Sequence, residues 1–594
     1  MNQKKHQTKQ MVKQILSAVL ILSLLAVFSG CGKKAKDASS MDALKEKLKE
    51  AQNAQTAVEP EDEETEPETE PEDTEEEERS VAGDALELYV QKGEDLYYGR
   101  EDYNTLLLDF SYDQIVLGEK DKEKYPELDK SLNQVNELIA KEETYAFEES
   151  LGWISDQSAD DVKEGIEQDM YPDETEWVTY IRRADEQVLS YLSQTTHYSH
   201  VDYNYVETKG HTFDVASGKE LELSDIVSDE DALYEYLAKK GKPIIEKEMA
   251  DFYGLEQEQD VSELKDRLKG YLEKGQGSWV LDPQGLSFWF DSYSATYGCT
   301  CIPVLFCEDT DGKIFKETWS KHIPEKWSME FPLYHKVFFD ADDDGQVDEL
   351  YVGLDQRWNE GDDYSYEYTA GFTVECNKDH AQFQNDEEPY AFLFTLTHQD
   401  GKSILLEQHS EYDWNFLELV TLGNGEPKLT DCISGGLLSD FDWESLPDNV
   451  FTTPRRILTD VNHVPVAVSS DMLSTCEAAA EYAIGTDGTW ECDNKRFKFF
   501  EDFQYEITLM IDYGGLYVVD EKTGEETGAT LDIPAGEKLK MLYTDNETYV
   551  DCMTEDGLTV RIPFADDPDT FRSVLIDGKP VDIWEVFEDM MFAG

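Results

Sequence analysis

Residues 59–78 constrain the chain most: fourteen of them are Asp or Glu, Pro60, Pro67 and Pro71 interrupt them, and none is basic. Like charges this close repel, and nothing apolar offsets the entropy of ordering, so the stretch predicts an extended, disordered tether. The excess runs through the whole 594-residue sequence, where 131 Asp+Glu face 51 Lys+Arg for a net charge of −80. Such a chain offers nucleic acid no basic face and repels anionic lipid. Hydrophobic residues at 40% and aromatics at 12% still supply real cores, which excludes disorder throughout. At ~150 residues each, the length allows about three or four domains.

Ahead of the tether, Lys4, Lys5, Lys9 and Lys13 precede an apolar run over residues 15–28. That run is too short to cross a hydrocarbon core of ~30 Å comfortably, and it reads as the h-region of an export signal. It ends in Phe28-Ser29-Gly30-Cys31, which resembles the lipobox of bacterial lipoproteins. The resemblance implies cleavage after residue 30, acylation of Cys31, and an extracytoplasmic protein anchored in the bilayer of a bacterial cell membrane. The expected leader is 1–30 and the expected tether 31–83. Without the leader's four lysines the balance is −84, and without the fourteen carboxylates of residues 59–78 it is −70.

Eight further cysteines remain: Cys299, Cys301, Cys307, Cys376, Cys432, Cys476, Cys492 and Cys552. An even number in an exported protein permits disulfides without fixing their pairing. Cys299-x-Cys301 lacks the paired C-x₂-C of common zinc sites, so buried thiols or one local disulfide are expected instead. His197, His200 and His211 are read as polar strand residues in preference to a metal set. No His-Glu-x-x-His, Gly-x-Ser-x-Gly or Gly-x₄-Gly-Lys-Ser/Thr motif occurs, so no catalytic residue is assigned and a non-enzyme is expected.

One loop carries chemistry. Between strand-like segments at 336–339 and 349–352, Asp340, Asp342, Asp344 and Asp348 occupy positions 1, 3, 5 and 9, with Gly345 at 6 and the Gln346 carbonyl at 7. A tight turn with this spacing converges hard oxygens on Ca²⁺. Position 12 is Tyr351 and the flanks are strands, so it resembles the calcium loops of integrin-type propeller repeats rather than an EF-hand. A structural Ca²⁺ is the one cofactor expected.

Periodicity divides the remainder into an α+β region at 84–325, an antiparallel β-rich region at 326–503 and short alternating strands at 504–594. The last are expected to form a small SH3-like barrel. In the first region, 128–140 carries Leu132, Val135, Leu138 and Ile139 at helical spacing, and 233–249 reads as an amphipathic helix capped by Ser224 or Asp225. Three segments carry a resemblance: Arg183-Ala-Asp185-x-x-Val188-Leu189-Ser190, Phe213-Asp214-x-x-Ser217-Gly218-Lys219-x-Leu221-x-Leu223-Ser224-Asp225, and Phe288-Trp289-Phe290-x-x-Tyr293. Together they resemble the lysozyme-sensing extracytoplasmic domain of the sigma-V anti-sigma factor, over roughly residues 100–325. The resemblance implies a basic wall-cleaving enzyme such as lysozyme as partner. Because only fourteen residues precede the h-region, direct control of a sigma factor is not expected. The leading expectation is a non-catalytic surface lipoprotein that binds a macromolecule. The competing one is a cell-wall glycan-binding module or envelope enzyme, whose many tyrosines and tryptophans would stack on sugars.

Overall fold

A computed structural model describes residues 85–592, apart from 100–104, 159–161, 164, 167–171, 199–204, 254–257, 291–299, 321–325, 333–334, 342–344, 361–364, 378, 385–388, 400–401, 411–414, 423–425, 438–454, 493–494, 501–504 and 566–571. The leader, Cys31 and the tether lie outside the described residues, as do His200, Cys299, Asp342 and Asp344. Strands take 50% of the structure and helices 23%, in several sheets: a mixed α+β protein. Among the described residues no helix is long and apolar enough to cross a membrane.

The first sheet contains β1 (Leu88–Tyr98), β2 (Leu106–Leu117), β3 (Asp173–Ala184), β4 (Val188–Tyr198) and β5 (Tyr205–Asp214), in that order. Its outer edge is filled by Arg455–Arg456, which pairs with β1. Between β2 and β3 runs α1 (Pro126–Asp156), with Pro126 in its first turn and Glu127 and Asp129 at its positive end. The helix buries Leu128, Leu132 and Ile154, outlasting the expected 128–140 by four turns. β2 and β3 pair only over Leu108–Tyr112, after which side chains take over the ladder. Asn136 of α1 donates to the Ile115 carbonyl at 2.8 Å and accepts from its amide at 3.1 Å. Asp113 accepts the Thr179 amide at 2.8 Å. Buried backbone groups need such partners wherever a strand departs.

The chain turns at Ser217-Gly218, with Gly218 at φ +65°. The helix after it, α2 (Glu230–Tyr253), is capped by Asp229, whose carboxylate accepts the amides of Asp231 and Ala232. Ser224 and Asp225 sit instead in a one-turn helix, Leu223–Ile226, where Asp225 bonds back to the Glu222 amide. A further helix, α3 (Val261–Glu273), is capped by Asp260. Leu233, Leu237, Leu264 and Leu268 of these helices pack on a three-stranded sheet of β6 (Gly277–Asp282), β7 (Gly285–Phe290) and β8 (Thr300–Leu305).

The following strands are antiparallel. β9 (Lys326–Glu330) forms the edge of a five-stranded sheet with β14 (Pro389–Gln399), β15 (Lys402–Ser410), β16 (Asn415–Thr421) and β17 (Lys428–Ser434). β10 (Lys336–Phe339), β11 (Asp348–Glu360), β12 (Ser365–Cys376) and β13 (Asp379–Gln384) form a second sheet.

Among the described residues, the later strands other than Arg455–Arg456 belong to one fourteen-stranded sheet that begins at Gly436–Leu437 and reaches Phe587–Glu588. The short strands expected after 504 are present, but the SH3-like barrel is corrected: among the described residues no closed barrel forms. One edge of Lys538–Thr544 is shared by Glu506–Leu509 and by Phe497–Phe499, so the sheet runs on into the preceding segment instead of closing. Val550, Cys552, Val560 and Ile562 line its core, while alternate residues face the other way.

Candidate functional site

The Asp-rich loop is the β10–β11 hairpin, closed by the pair Phe339↔Asp348. The Gly345 amide donates to the Asp340 carboxylate at 2.9 Å, drawing the loop into a ring, and Gly345 takes φ +81°, a left-handed conformation that glycine adopts without a steric penalty. At the far side, Asp348 accepts the Ala341 amide at 2.6 Å and the Asn377 side chain, also at 2.6 Å. Asp340 and Asp348 thus stand at the two ends of one compact turn, with Gln346 between them. Asp342 and Asp344 fall outside the described residues. Among the described residues no group of three or more His, Cys, Asp or Glu side chains is placed to hold a metal. The donor set remains all oxygen and suits a hard cation: carboxylates keep lone pairs beyond the hydrogen bonds they accept.

The loop is seated on the β6–β7 turn. Gln284 accepts the Asp340 amide at 2.9 Å and donates to its carbonyl at 3.4 Å. Two residues earlier, the buried Asp282 takes a two-pronged bond from Arg182 of β3, Nε to Oδ1 at 2.8 Å and Nη2 to Oδ2 at 3.0 Å. Arg182 also donates to the Glu330 carbonyl of β9 at 2.9 Å, and the Glu330 carboxylate accepts the Ile181 amide at 2.9 Å. One guanidinium therefore joins three sheets beneath the loop, and Trp289 lies 5.8 Å from it. This cluster is sealed from solvent and fastens elements rather than meeting a substrate.

Among the described residues, histidine and cysteine positions do not converge. His197 bonds Thr175 at 2.8 Å, whereas His211 bonds Glu220 at 2.8 Å. His211 is paired across the sheet with Tyr191, six residues from His197 along β4, a separation of roughly 20 Å. Cys301, Cys376, Cys476 and Cys552 are buried, Cys307 and Cys432 exposed, and no disulfide joins two described cysteines.

Two buried charge clusters were not singled out in the sequence. Asp551 accepts from Arg561 at 2.7 and 2.9 Å and from Arg496 at 3.3 Å. The guanidiniums lie over Tyr549 and Tyr543, at 3.7 and 3.6 Å from the ring centres. Their outer nitrogens hold the Gly524 and Glu521 carbonyls, pinning a hairpin turn. Among the described residues, the second cluster has no cation. Glu143 of α1 is fully buried; burial, then the neighbouring Asp95 carboxylate, push its carboxyl up to about 8. Its signal was present: Ile139, Glu143 and Phe147 recur at i,i+4 spacing, so the carboxylate occupies the apolar stripe.

No family model matches the chain, and no curated protein matches it. Among solved structures, a DUF3298 family member from Bacteroides fragilis is similar at 16% identity and TM-score 0.29, over 41% of this chain and 99% of that one. A DUF3298 family protein from Pseudomonas aeruginosa is similar at 12% identity and TM-score 0.24, over 40% of this chain and 97% of that one.

Proposed function

We propose that this chain is an extracytoplasmic lipoprotein, held to the bacterial membrane through acylated Cys31, whose acidic globular part binds a cationic macromolecule without catalysis. The single observation behind this reading is the joining of a lipobox-like leader to a net charge of −70 that remains without the leader's lysines and the carboxylates of residues 59–78. A single-signed field steers an oppositely charged protein in and is weakened by salt. A basic wall-cleaving enzyme such as lysozyme has the matching charge. The α/β-mixed part at 84–325 carries the resemblance to a lysozyme-sensing domain, and the antiparallel part at 326–503 begins with the Asp loop. Ca²⁺ held by Asp340, Asp342, Asp344, Asp348 and the Gln346 carbonyl would clamp the β10–β11 turn and catalyse nothing.

The test places the full lipidated chain on neutral phosphatidylcholine vesicles. Lysozyme is expected to sediment with those vesicles and to stay in solution when Cys31→Ala protein is used. The competing reading, wall-glycan binding or turnover, predicts retention of wall fragments, or their cleavage, with no retention of lysozyme.

A further inference from the structure

The C-terminal region exposes an apolar cluster that its own core leaves uncovered. The Met510 amide donates to the Val586 carbonyl at 2.8 Å, which sets Met510 and Ile511 beside the one-turn helix Ile583–Val586. That turn sends Ile583 and Val586, three residues apart, into the core and leaves Trp584 outside. Phe592 meets the Trp584 ring edge-on at 5.4 Å. Met591, the residue before Phe592, is held by its backbone, its amide bound to Ser474 at 3.1 Å and its carbonyl to the Thr475 amide at 2.8 Å. Trp584 is 52% exposed, Met591 55%, Met510 40% and Ile511 37%. Scattered apolar residues on a surface are ordinary, but a contiguous group with a polar rim marks an interaction site.

The segments that carry the cluster are acidic, and Lys538 of the neighbouring strand is the cation that meets them, at Glu506. Residues 505–512 and 582–592 contain Glu506, Asp512, Asp582, Glu585, Glu588 and Asp589, and neither Lys nor Arg. Four of these carboxylates serve the fold: Glu506 pairs with Lys538, Asp512 accepts the Ala535 amide, Asp582 caps the helix turn and Asp589 accepts the Thr508 hydroxyl. Glu585 and Glu588 have no such partner among the described residues.

We propose that the cluster of Trp584, Met510, Ile511 and Met591, with its carboxylate rim, is the docking surface for a cationic amphipathic face on a partner protein. The proposal rests on the reading of a cationic ligand and gives that ligand a place. Tryptophan and methionine at the centre with charge at the edge is the usual anatomy of a protein interface. An anionic bilayer meets repulsion at this rim, and so does a second copy of the chain.

The experiment uses the full chain labelled at methionine methyl groups and titrated with a helical Leu/Lys peptide. The Met510 and Met591 signals, assigned through Met→Leu variants, are expected to shift saturably, while the buried Met541 signal stays in place and reports an intact fold. Trp584→Ser is expected to weaken the peptide about tenfold or more, and paired Glu585→Gln and Glu588→Gln changes to flatten the salt dependence. The proposal is overturned if the two signals ignore the peptide, respond equally to a Leu/Glu analogue, or shift with protein concentration alone. A saturating peptide response without lysozyme binding would fault the wall-hydrolase reading and support the surface. Silence towards the peptide would fault the surface whatever lysozyme does.

Discussion

Asp551 and Glu143 are both fully buried carboxylates, and the fold treats them in opposite ways. Asp551 lies between two guanidiniums, each stacked on a tyrosine. Glu143 faces another carboxylate, Asp95, and its Oε1 accepts no hydrogen bond. With 51 bases for 131 acids, cations are scarce in this chain, and the C-terminal sheet uses two of them at one position. The α1 interface keeps its acid by leaving it protonated. One region is held by charge pairing and the other by a proton, so pH and mutation should separate them.

The largest effect is expected where a partner's removal strands charge. Asp551→Ala leaves Arg496 and Arg561 facing each other, and should cost about 3–5 kcal/mol in denaturant unfolding. A loss under about 1 kcal/mol would mean that the C-terminal sheet is not held by this charge pairing. Calcium comes next. At a hundredfold excess over its dissociation constant it should add about 2.7 kcal/mol of stability, and Asp340→Asn should abolish the gain. A calcium response unchanged in Asp340→Asn would place the ion elsewhere.

The third effect turns on pH. Because the folded-state carboxyl of Glu143 lies near 8, above its ordinary 4.5, the native state holds a proton that the unfolded chain releases. Its favourable contribution is therefore complete below about 4.5 and is lost as pH rises through 8. Glu143→Gln should be neutral near pH 4.5 and become stabilising by about 1.4 kcal/mol for each pH unit from there towards 8. Equal stabilisation at both pH values would mean that the carboxyl carries no extra proton.

Much of this was legible from local pattern. β7, β10 and β16 announce themselves by aromatic and branched residues, and Gly218 and Gly345 mark turns whose positive φ requires them. The cap of α2 was misplaced because Ser224, Asp225 and Asp229 carry the same capping chemistry, and the intervening one-turn helix decides between them. What was hidden depends on distant pairing. Arg182 meets Asp282 across a hundred residues, and Arg455–Arg456 is too short to show a period before β1 recruits it. Barrel closure is hidden in the same way, since the strand that shares the edge of Lys538–Thr544 comes from before residue 500.

The proposed role requires that the acidic surface have a cationic partner. The most direct test is calorimetric titration of the chain from Cys31 onward with lysozyme, at low and near-physiological salt, with and without calcium. Tight 1:1 binding is expected, weakened by salt yet surviving at the physiological level. Absence of binding, or binding that vanishes at that level, would contradict that role and leave the charge as a solubility device.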